Sequence, residues 1–438
     1  RPCAASASMP AESSKSSAAL AHAKAAHDAG HFDVAVLRYK AVLAEDSRHG
    51  EALYLLGLAL VSAGRADEAL ATFERLITLF PGVALAWIAR GNALSNAGRA
   101  TEAIASFARG CALEPDNPLA REKYGSLLFG QQDYAGAVRE FEVVTRLRPE
   151  SPDALNNLAS ALSSLGRFAD ALACFERALT LDANHAGALL NSLFALERMG
   201  RSFEAVQRGR RLLAAHPVVA AYHCRVGRLL FDQGYFEEAH AAINRALELD
   251  PEDVESRWAQ AMYVLPSVYG PDMEAERYRQ QWDRALVDLD AWFDDRRAPR
   301  GFRAVGTTHP YYLVYHETDN TAAASHYGDL CRRLMAASGL ERTLPVRTST
   351  RAGPVRLAIV SSYFYDHSVW TALVRGFCAE LDPDQVELHL CHTGPINDAE
   401  TVTARACAAG FHTGVGSLDR WVAELARMRS SIRRSAWM

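Results

Sequence analysis

The chain has 438 residues, of which 49% are hydrophobic and 23% are charged. This length exceeds what one hydrophobic core usually serves, so we expect two or three domains of ordinary globular composition. The formal net charge of −5 argues against a nucleic-acid partner, which would call for a clustered basic face. No apolar run approaches the ~18 residues of a membrane-spanning helix, so no membrane partner is expected.

Residues 1–15 are rich in alanine and serine and lack the continuous apolar stretch of a signal peptide. We predict that this segment is disordered. Because Met9 is the first methionine, the residues before it are interpreted as upstream sequence or a processed end. The eight cysteines form no Cys-x-x-Cys pair, which favours reduced, buried thiols in a cytoplasmic protein over a disulfide framework.

A period of 34 residues dominates the chain up to about residue 253. Each unit has an alanine at the same place, and all units but one have a glycine five residues earlier, with Gln132 as the exception. A large apolar side chain follows most of the alanines by four residues, and prolines close several units. The alanines are Ala35, Ala69, Ala103, Ala137, Ala171, Ala205 and Ala239.

Each recurring residue has a physical reason. A glycine ends a first helix because a left-handed residue satisfies its last carbonyls without a Cβ clash. The alanine allows two helices to cross closely, and the large side chain one turn later fills the gap between hairpins. The pattern resembles the tetratricopeptide repeat and predicts seven helical hairpins over residues 16–253. Its signature residues are Trp87, Gly91, Leu94, Ala103, Phe107 and Pro115.

Stacked hairpins of this kind form a superhelix whose concave groove, lined by the first helix of each unit, usually holds a peptide or a partner protein. Asn157 and Asn191 occupy equivalent first-helix positions one repeat apart. An amide both donates and accepts hydrogen bonds, so it suits the backbone of an extended peptide. We therefore predict that both residues bind a peptide substrate, and the alternative is that they are polar residues on a solvated face. Other units carry Leu55, Ala89, Lys123 and Arg225 at this position.

The period fails after Asp253. Residues 254–306 are predicted to form a capping helix and a linker, because the last repeat needs a cover for its apolar face. Residues 307–352 are predicted to form a connector with a buried aromatic run at 311–315 and a helix at 322–337. No metal is expected from His309, His316 and His326, because their spacing matches no common metal-binding pattern.

Residues 353–438 change to an alternation of short apolar runs and amphipathic segments. This order predicts a parallel, doubly wound sheet, and ligands bind such sheets at the carboxyl ends of the strands. His367 is therefore a candidate functional residue, because its loop follows the first predicted strand. The absence of Gly-x-Gly-x-x-Gly leaves a dinucleotide cofactor unsupported. Strands are predicted at 355–360, at 386–391 and from Phe411, and helices at 369–381, 398–409 and 417–427.

Residues 355–369 (VRLAIVSSYFYDHSV) resemble the start of the catalytic region in the O-GlcNAc transferase/SPINDLY-like glycosyltransferases. Residues 311–315 and 386–394 are similar to the bacterial branch of that family. The resemblance implies the first half of a GT-B type region, made of Rossmann-like domains, that transfers a sugar from a nucleotide donor such as UDP-GlcNAc to protein Ser or Thr. It implies that His367 lies beside donor and acceptor, as a base or a positioning group, and that the repeat groove presents the acceptor.

Residues 428–438 depart from that family, because they are polar, basic and poor in strand-forming side chains. We interpret them as a truncated or frame-shifted end, and we predict that this chain lacks the donor-binding domain and is inactive alone. The alternative is a non-enzymatic scaffold whose repeats bind a protein partner. A dehydrogenase or methyltransferase is disfavoured because no glycine-rich loop is present.

Overall fold

The structure is a computed structural model that describes residues 14–265, 275–308, 310, 319–339, 355–361, 364, 370, 374–394 and 398–413. The chain divides into two compact units, residues 1–342 and 343–438, which are described separately. Within the described ranges, no helix is both long and apolar enough to cross a bilayer. Several predictions concern residues outside these ranges, namely His309, His316, His367, the aromatic run 311–315, the helix 417–427 and the terminal segment 428–438.

Seven helical hairpins make up most of the first unit, as the period predicts. The first helices are α1 (Ser14–Asp28), α3 (Gly50–Ser62), α5 (Ala84–Asn96), α7 (Pro118–Gly130), α9 (Pro152–Ser164), α11 (Ala186–Arg198) and α13 (Ala220–Asp232). The second helices are α2 (Phe32–Glu45), α4 (Ala66–Leu79), α6 (Ala100–Leu113), α8 (Tyr134–Leu147), α10 (Phe168–Leu181), α12 (Ser202–Ala215) and α14 (Phe236–Leu249). Because α1 begins at Ser14, the last two residues of the segment predicted to be disordered are helical.

The turn inside each hairpin confirms the role predicted for the recurring glycine. Gly98 has a φ of 73°, and the other five glycines of the series also have positive φ. Gln132, the exception in the sequence pattern, adopts the same conformation with a φ of 64°. The turn geometry is therefore retained even where a side chain makes it less favourable.

Packing within each hairpin confirms the predicted alanine and ring positions. All seven alanines of the series are fully buried. The ring of Phe73 fills the space left by Gly57, where an added Cβ would lie 2.3 Å from the ring. In the sixth repeat the sizes are exchanged, because Leu193 stands at the Gly57 position and Gly209 at the Phe73 position.

Among the described residues of the first unit, four further helices follow the repeats: α15 (Val254–Met262), α16 (Ala275–Trp292), the short α17 (Ala298–Gly301) and α18 (Thr321–Ala337). Helix α15 packs on α13 and α14, and its fully buried Trp258 donates a hydrogen bond from Nε1 to the Thr308 carbonyl at 2.8 Å. Trp258 and Trp282 lie 5.8 and 6.5 Å from the Tyr327 ring, measured between ring centroids. These residues extend the core of the later repeats without a break.

The second unit contains a small parallel sheet in the order β1–β2–β3, with strands Val355–Ser361, Val386–His392 and Gly410–His412. Helices α19 (Arg375–Glu380) and α20 (Ala399–Cys407) lie between the strands in sequence. Trp370 is buried with Leu388 and Leu390, and its Nε1 donates to Glu400 Oε2 at 2.6 Å. The strand–helix–strand order agrees with the prediction, whereas three described strands do not establish a Rossmann-like domain.

The two histidines of β2 lie on opposite faces of the sheet, as strand alternation predicts. His389 Nδ1 is 3.2 Å from His412 Nε2. His392 is buried beside the rings of Phe364 and Phe411. In the part of the chain that the structure describes, no group of three or more His, Cys, Asp and Glu side chains is placed to hold a metal ion.

Candidate functional site

The inner face of the repeat array is formed by the first helices of the hairpins. Helix α1 approaches α3, α3 approaches α5, α9 approaches α11, and α13 approaches α15. A cavity of about 450 Å³ opens on this face and is lined by side chains of α7, α9, α11 and α13, together with Phe175 of α10. The cavity therefore spans the first helices of four successive repeats.

Aromatic side chains form much of the cavity wall. Phe129 comes from α7, Phe194 from α11 and Tyr222 from α13. Phe194 is 49% exposed although it packs edge-to-face on Phe168, with ring centroids 6.0 Å apart. A half-exposed phenylalanine in a concave site is the kind of apolar surface that ligands cover.

The cavity exists because α9 carries small side chains where neighbouring repeats carry large ones. Ser160, Ser163 and Ser164 line it from α9. At the position equivalent to Ser163, the preceding repeat carries Phe129, the following repeat carries Glu197 and the seventh repeat carries Phe231. Those rings pack edge-to-face on the first aromatic of the next helix, with centroids 5.3 Å apart in both cases. Ser163 leaves the corresponding volume open beside α10.

A hydrogen-bond network fixes the polar side of the cavity. Asn191 donates from Nδ2 to Asn156 Oδ1 at 3.0 Å and to Ser160 Oγ at 3.2 Å. Ser160 in turn donates from Oγ to the Asn156 carbonyl at 2.8 Å. Both amide hydrogens of Asn191 are thus engaged, and its Oδ1 accepts no hydrogen bond from the described residues. This oxygen is available to a ligand N–H group.

The two asparagines predicted to bind peptide lie in different surroundings. Asn191 lines the cavity, whereas Asn157 points toward the preceding repeat, with Nδ2 3.5 Å from Glu122 Oε1. The side chain brought to Asn191 is Asn156, which the sequence argument missed. Peptide contact by Asn157 and Asn191 stays a prediction.

The charge of the cavity is balanced internally. Arg225, the cationic residue of its wall, forms an ion pair with Glu197. Both side chains are partly buried, at 31% and 25% exposure. A paired arginine has little net attraction left for an anionic ligand, so the site is suited to a neutral group.

Stacked helical hairpins with a ligand-sized cavity on their inner face define an α-helical repeat protein of the solenoid class. Models of the tetratricopeptide repeat match residues 20–84, 61–118, 88–152, 152–185 and 220–253. Residues 20–185 and 220–253 therefore contain tetratricopeptide repeats, which confirms the repeat prediction over these residues. A comparison with curated proteins finds no match.

Three solved structures that match parts of this chain are each less than 25% identical to it. YrrB, described as a TPR protein with an unusual peptide-binding site, is 22% identical, with 43% of this chain and 97% of that chain covered and a TM-score of 0.36. A variant of the Thermobaculum terrenum O-GlcNAc transferase is 18% identical, with 64% and 44% covered and a TM-score of 0.42. The C-terminal part of a Cytophaga hutchinsonii repeat protein is 16% identical, with 54% and 97% covered and a TM-score of 0.47.

Proposed function

We propose that this protein binds an extended segment of a partner protein in the inner groove formed by α7, α9, α11 and α13. The observation that carries the proposal is the cavity itself, which combines the half-exposed Phe194 with the open acceptor Asn191 Oδ1. Apolar walls with a few convergent polar groups are the usual composition of a binding site.

The length of the groove suits a peptide. Packed helices lie about 10 Å apart, so four first helices span roughly 30 Å. An extended chain advances about 3.3 Å per residue, and roughly nine residues would cover that distance. Successive side chains of an extended peptide point toward and away from the groove. Those that point toward it can enter the cavity, and a backbone N–H group of the peptide can donate to Asn191 Oδ1.

Peptide selection tests this proposal. A phage-displayed library of random 12-residue peptides is selected on the purified protein, and the affinity of enriched peptides is measured by fluorescence anisotropy. Asn191→Ala removes the acceptor and disrupts its network, so we expect about tenfold weaker binding. Asn184→Ala, at an exposed residue of the turn between α10 and α11 and outside the cavity, serves as the matched control and should bind like wild type. Equal affinities of the two variants would contradict binding at this groove.

We propose as a second function that the groove presents an acceptor to a protein O-glycosyltransferase region that uses UDP-GlcNAc or a similar donor. The support is the resemblance of residues 355–369 and the parallel order β1–β2–β3 with intervening helices. In this proposal the acceptor hydroxyl oxygen bonds to the anomeric carbon of the sugar while the nucleotide diphosphate leaves. His367 follows β1 in sequence, and it either takes the hydroxyl proton or positions the acceptor.

Mass spectrometry tests this second proposal. The protein is incubated with UDP-GlcNAc and a groove-binding peptide, and the peptide is examined for an added N-acetylhexosamine. Because this chain is predicted to be inactive alone, unmodified peptide is the expected result. Transfer that His367→Ala abolishes and His412→Ala retains would support the glycosyltransferase region and contradict the predicted inactivity. Transfer unchanged in His367→Ala would contradict the role of His367.

A further inference from the structure

We infer that the cavity between α7 and α13 is a specificity pocket for one aromatic side chain that carries a hydrogen-bonding group, such as tyrosine or tryptophan, on the bound segment. The inference rests on the proposed peptide binding and names the residue that the groove selects. Three independent features of the cavity lead to it: its walls, its charge and an unsatisfied hydroxyl group.

The walls are shaped for a ring. Phe129, Phe194 and Tyr222 approach the cavity from three helices, so an inserted ring meets aromatic neighbours on several sides. Aromatic rings favour edge-to-face and offset contacts with one another. Phe194 already makes one such contact with Phe168, and its exposed remainder is free to make another. An aliphatic side chain would fill the volume without these contacts.

The charge balance excludes an ionised anchor. Arg225 is engaged by Glu197, so an inserted carboxylate finds no unpaired cation in the wall. An inserted lysine or arginine would have to compete with Arg225 for the same carboxylate. The faces of the aromatic walls repel a carboxylate, and a cation would gain only a cation–π contact while displacing Arg225 from its partner. The anchor is therefore neutral.

Ser163 indicates that the anchor carries a polar atom. Its side chain lies in the cavity lining and the residue is only 8% exposed. Its Oγ is buried and has no hydrogen-bond partner among the described residues. Buried hydroxyl groups are nearly always hydrogen-bonded, so an unsatisfied one beside a ligand-sized cavity points to a ligand partner. A phenol or an indole N–H supplies that partner and a ring together.

The fold itself provides the variant that tests the pocket. Phenylalanine occupies the position equivalent to Ser163 in two other repeats, as Phe129 and Phe231, so Ser163→Phe fills the cavity with a side chain that the equivalent position accommodates elsewhere in the array. Ser95→Phe makes the same change at the same repeat position outside the cavity. Circular dichroism melts establish that both variants fold.

The experiment uses peptides selected on the wild-type protein as described above. We expect an enriched tyrosine or tryptophan at one position, at least tenfold weaker binding by Ser163→Phe, and unchanged binding by Ser95→Phe. On the wild-type protein, replacing the enriched residue of the peptide by alanine should weaken binding about 30-fold, and replacing a tyrosine by phenylalanine severalfold. The peptide series needs no folded variant and decides the question even if Ser163→Phe unfolds.

The possible outcomes distinguish failure of the specificity pocket from failure of the proposed peptide binding. Peptides that bind through Asn191 but show no aromatic enrichment, or whose alanine substitutions have no effect, would overturn the specificity pocket and leave groove binding intact. Full binding by a folded Ser163→Phe variant would overturn it as well. A library that yields no binder would contradict the proposed function and the pocket together.

Discussion

The exchange of large and small side chains in the sixth repeat predicts a measurable coupling between Leu193 and Gly209. In the fifth repeat the equivalent residues are Ala159 and Phe175, and both are fully buried. The double variant Leu193→Ala/Gly209→Phe therefore converts the sixth hairpin to a pairing that the chain already uses one repeat earlier. Leu193→Ala alone leaves two small residues at this pair of positions, and Gly209→Phe alone leaves two large ones.

The single variants should both destabilise the protein. Leu193 is fully buried, so its replacement by alanine costs about 2–5 kcal/mol. A Cβ at Gly209 would lie 3.0 Å from Val226 Cγ1, so Gly209→Phe overpacks the site at a cost of about 1–3 kcal/mol. Better helix propensity offsets roughly 0.5 kcal/mol of that cost. In the double variant the ring enters the space that Leu193 vacates, and we expect about 2 kcal/mol of favourable coupling.

Urea unfolding followed by far-UV circular dichroism measures these free energies. Repeat arrays unfold in segments, so hydrogen exchange of the α11 and α12 amides supplies the local value. Fully additive effects, with a coupling below about 0.5 kcal/mol, would refute the interpretation that the two positions share one packing site.

Three further predictions concern a turn, the helices after the repeats and a thiol. Gln132→Gly should raise stability by up to about 1 kcal/mol, because it removes a left-handed non-glycine residue, and Gly98→Gln should lower it by about 1–2 kcal/mol in thermal melts. Trp258→Ala should cost about 3–5 kcal/mol in urea unfolding, and Trp258→Phe less, because Trp258 is fully buried. Burial raises the pKa of the Cys111 thiol to about 11, so iodoacetamide at pH 8 should label Cys111 only after unfolding. The exposed Cys407 should react in the native protein, and mass spectrometry of the labelled peptides distinguishes the two.

The repeat architecture was predictable because its information is local and recurs in every unit. Each hairpin has three steric requirements that the sequence shows directly: a glycine at the turn, an alanine where the helices cross and a large side chain one helical turn later. Gln132 shows the limit of that reading, because the turn keeps its left-handed φ without the glycine. The other contacts of this hairpin together hold the backbone of Gln132 in the left-handed conformation.

The candidate site was only partly predictable. The position of Asn191 on the inner helix face followed from the repeat, and the structure places it in the cavity wall. The cavity is open because Ser163 lacks the aromatic ring that Phe129 and Phe231 carry at the equivalent repeat position. That difference becomes informative only when the repeats are superposed. The pairing of Asn191 with Asn156 requires the spacing between two helices, which a single sequence does not specify.

In the second unit the short apolar runs predicted the three strands of the described residues to within a residue or two. A strand's sequence does not determine how many further strands pair with it, so the extent of the sheet could not be predicted. His367 lies outside the described residues, and its role stays a prediction.

Photo-crosslinking tests peptide binding in the inner groove most directly. A selected peptide carries p-benzoylphenylalanine in place of its enriched aromatic residue, and the cross-linked positions are identified by mass spectrometry on the full chain. Our account predicts cross-links on α7, α9, α11 and α13, concentrated near Ser163 and Phe194. Cross-links confined to the second helices of the repeats or to residues 343–438 would contradict it.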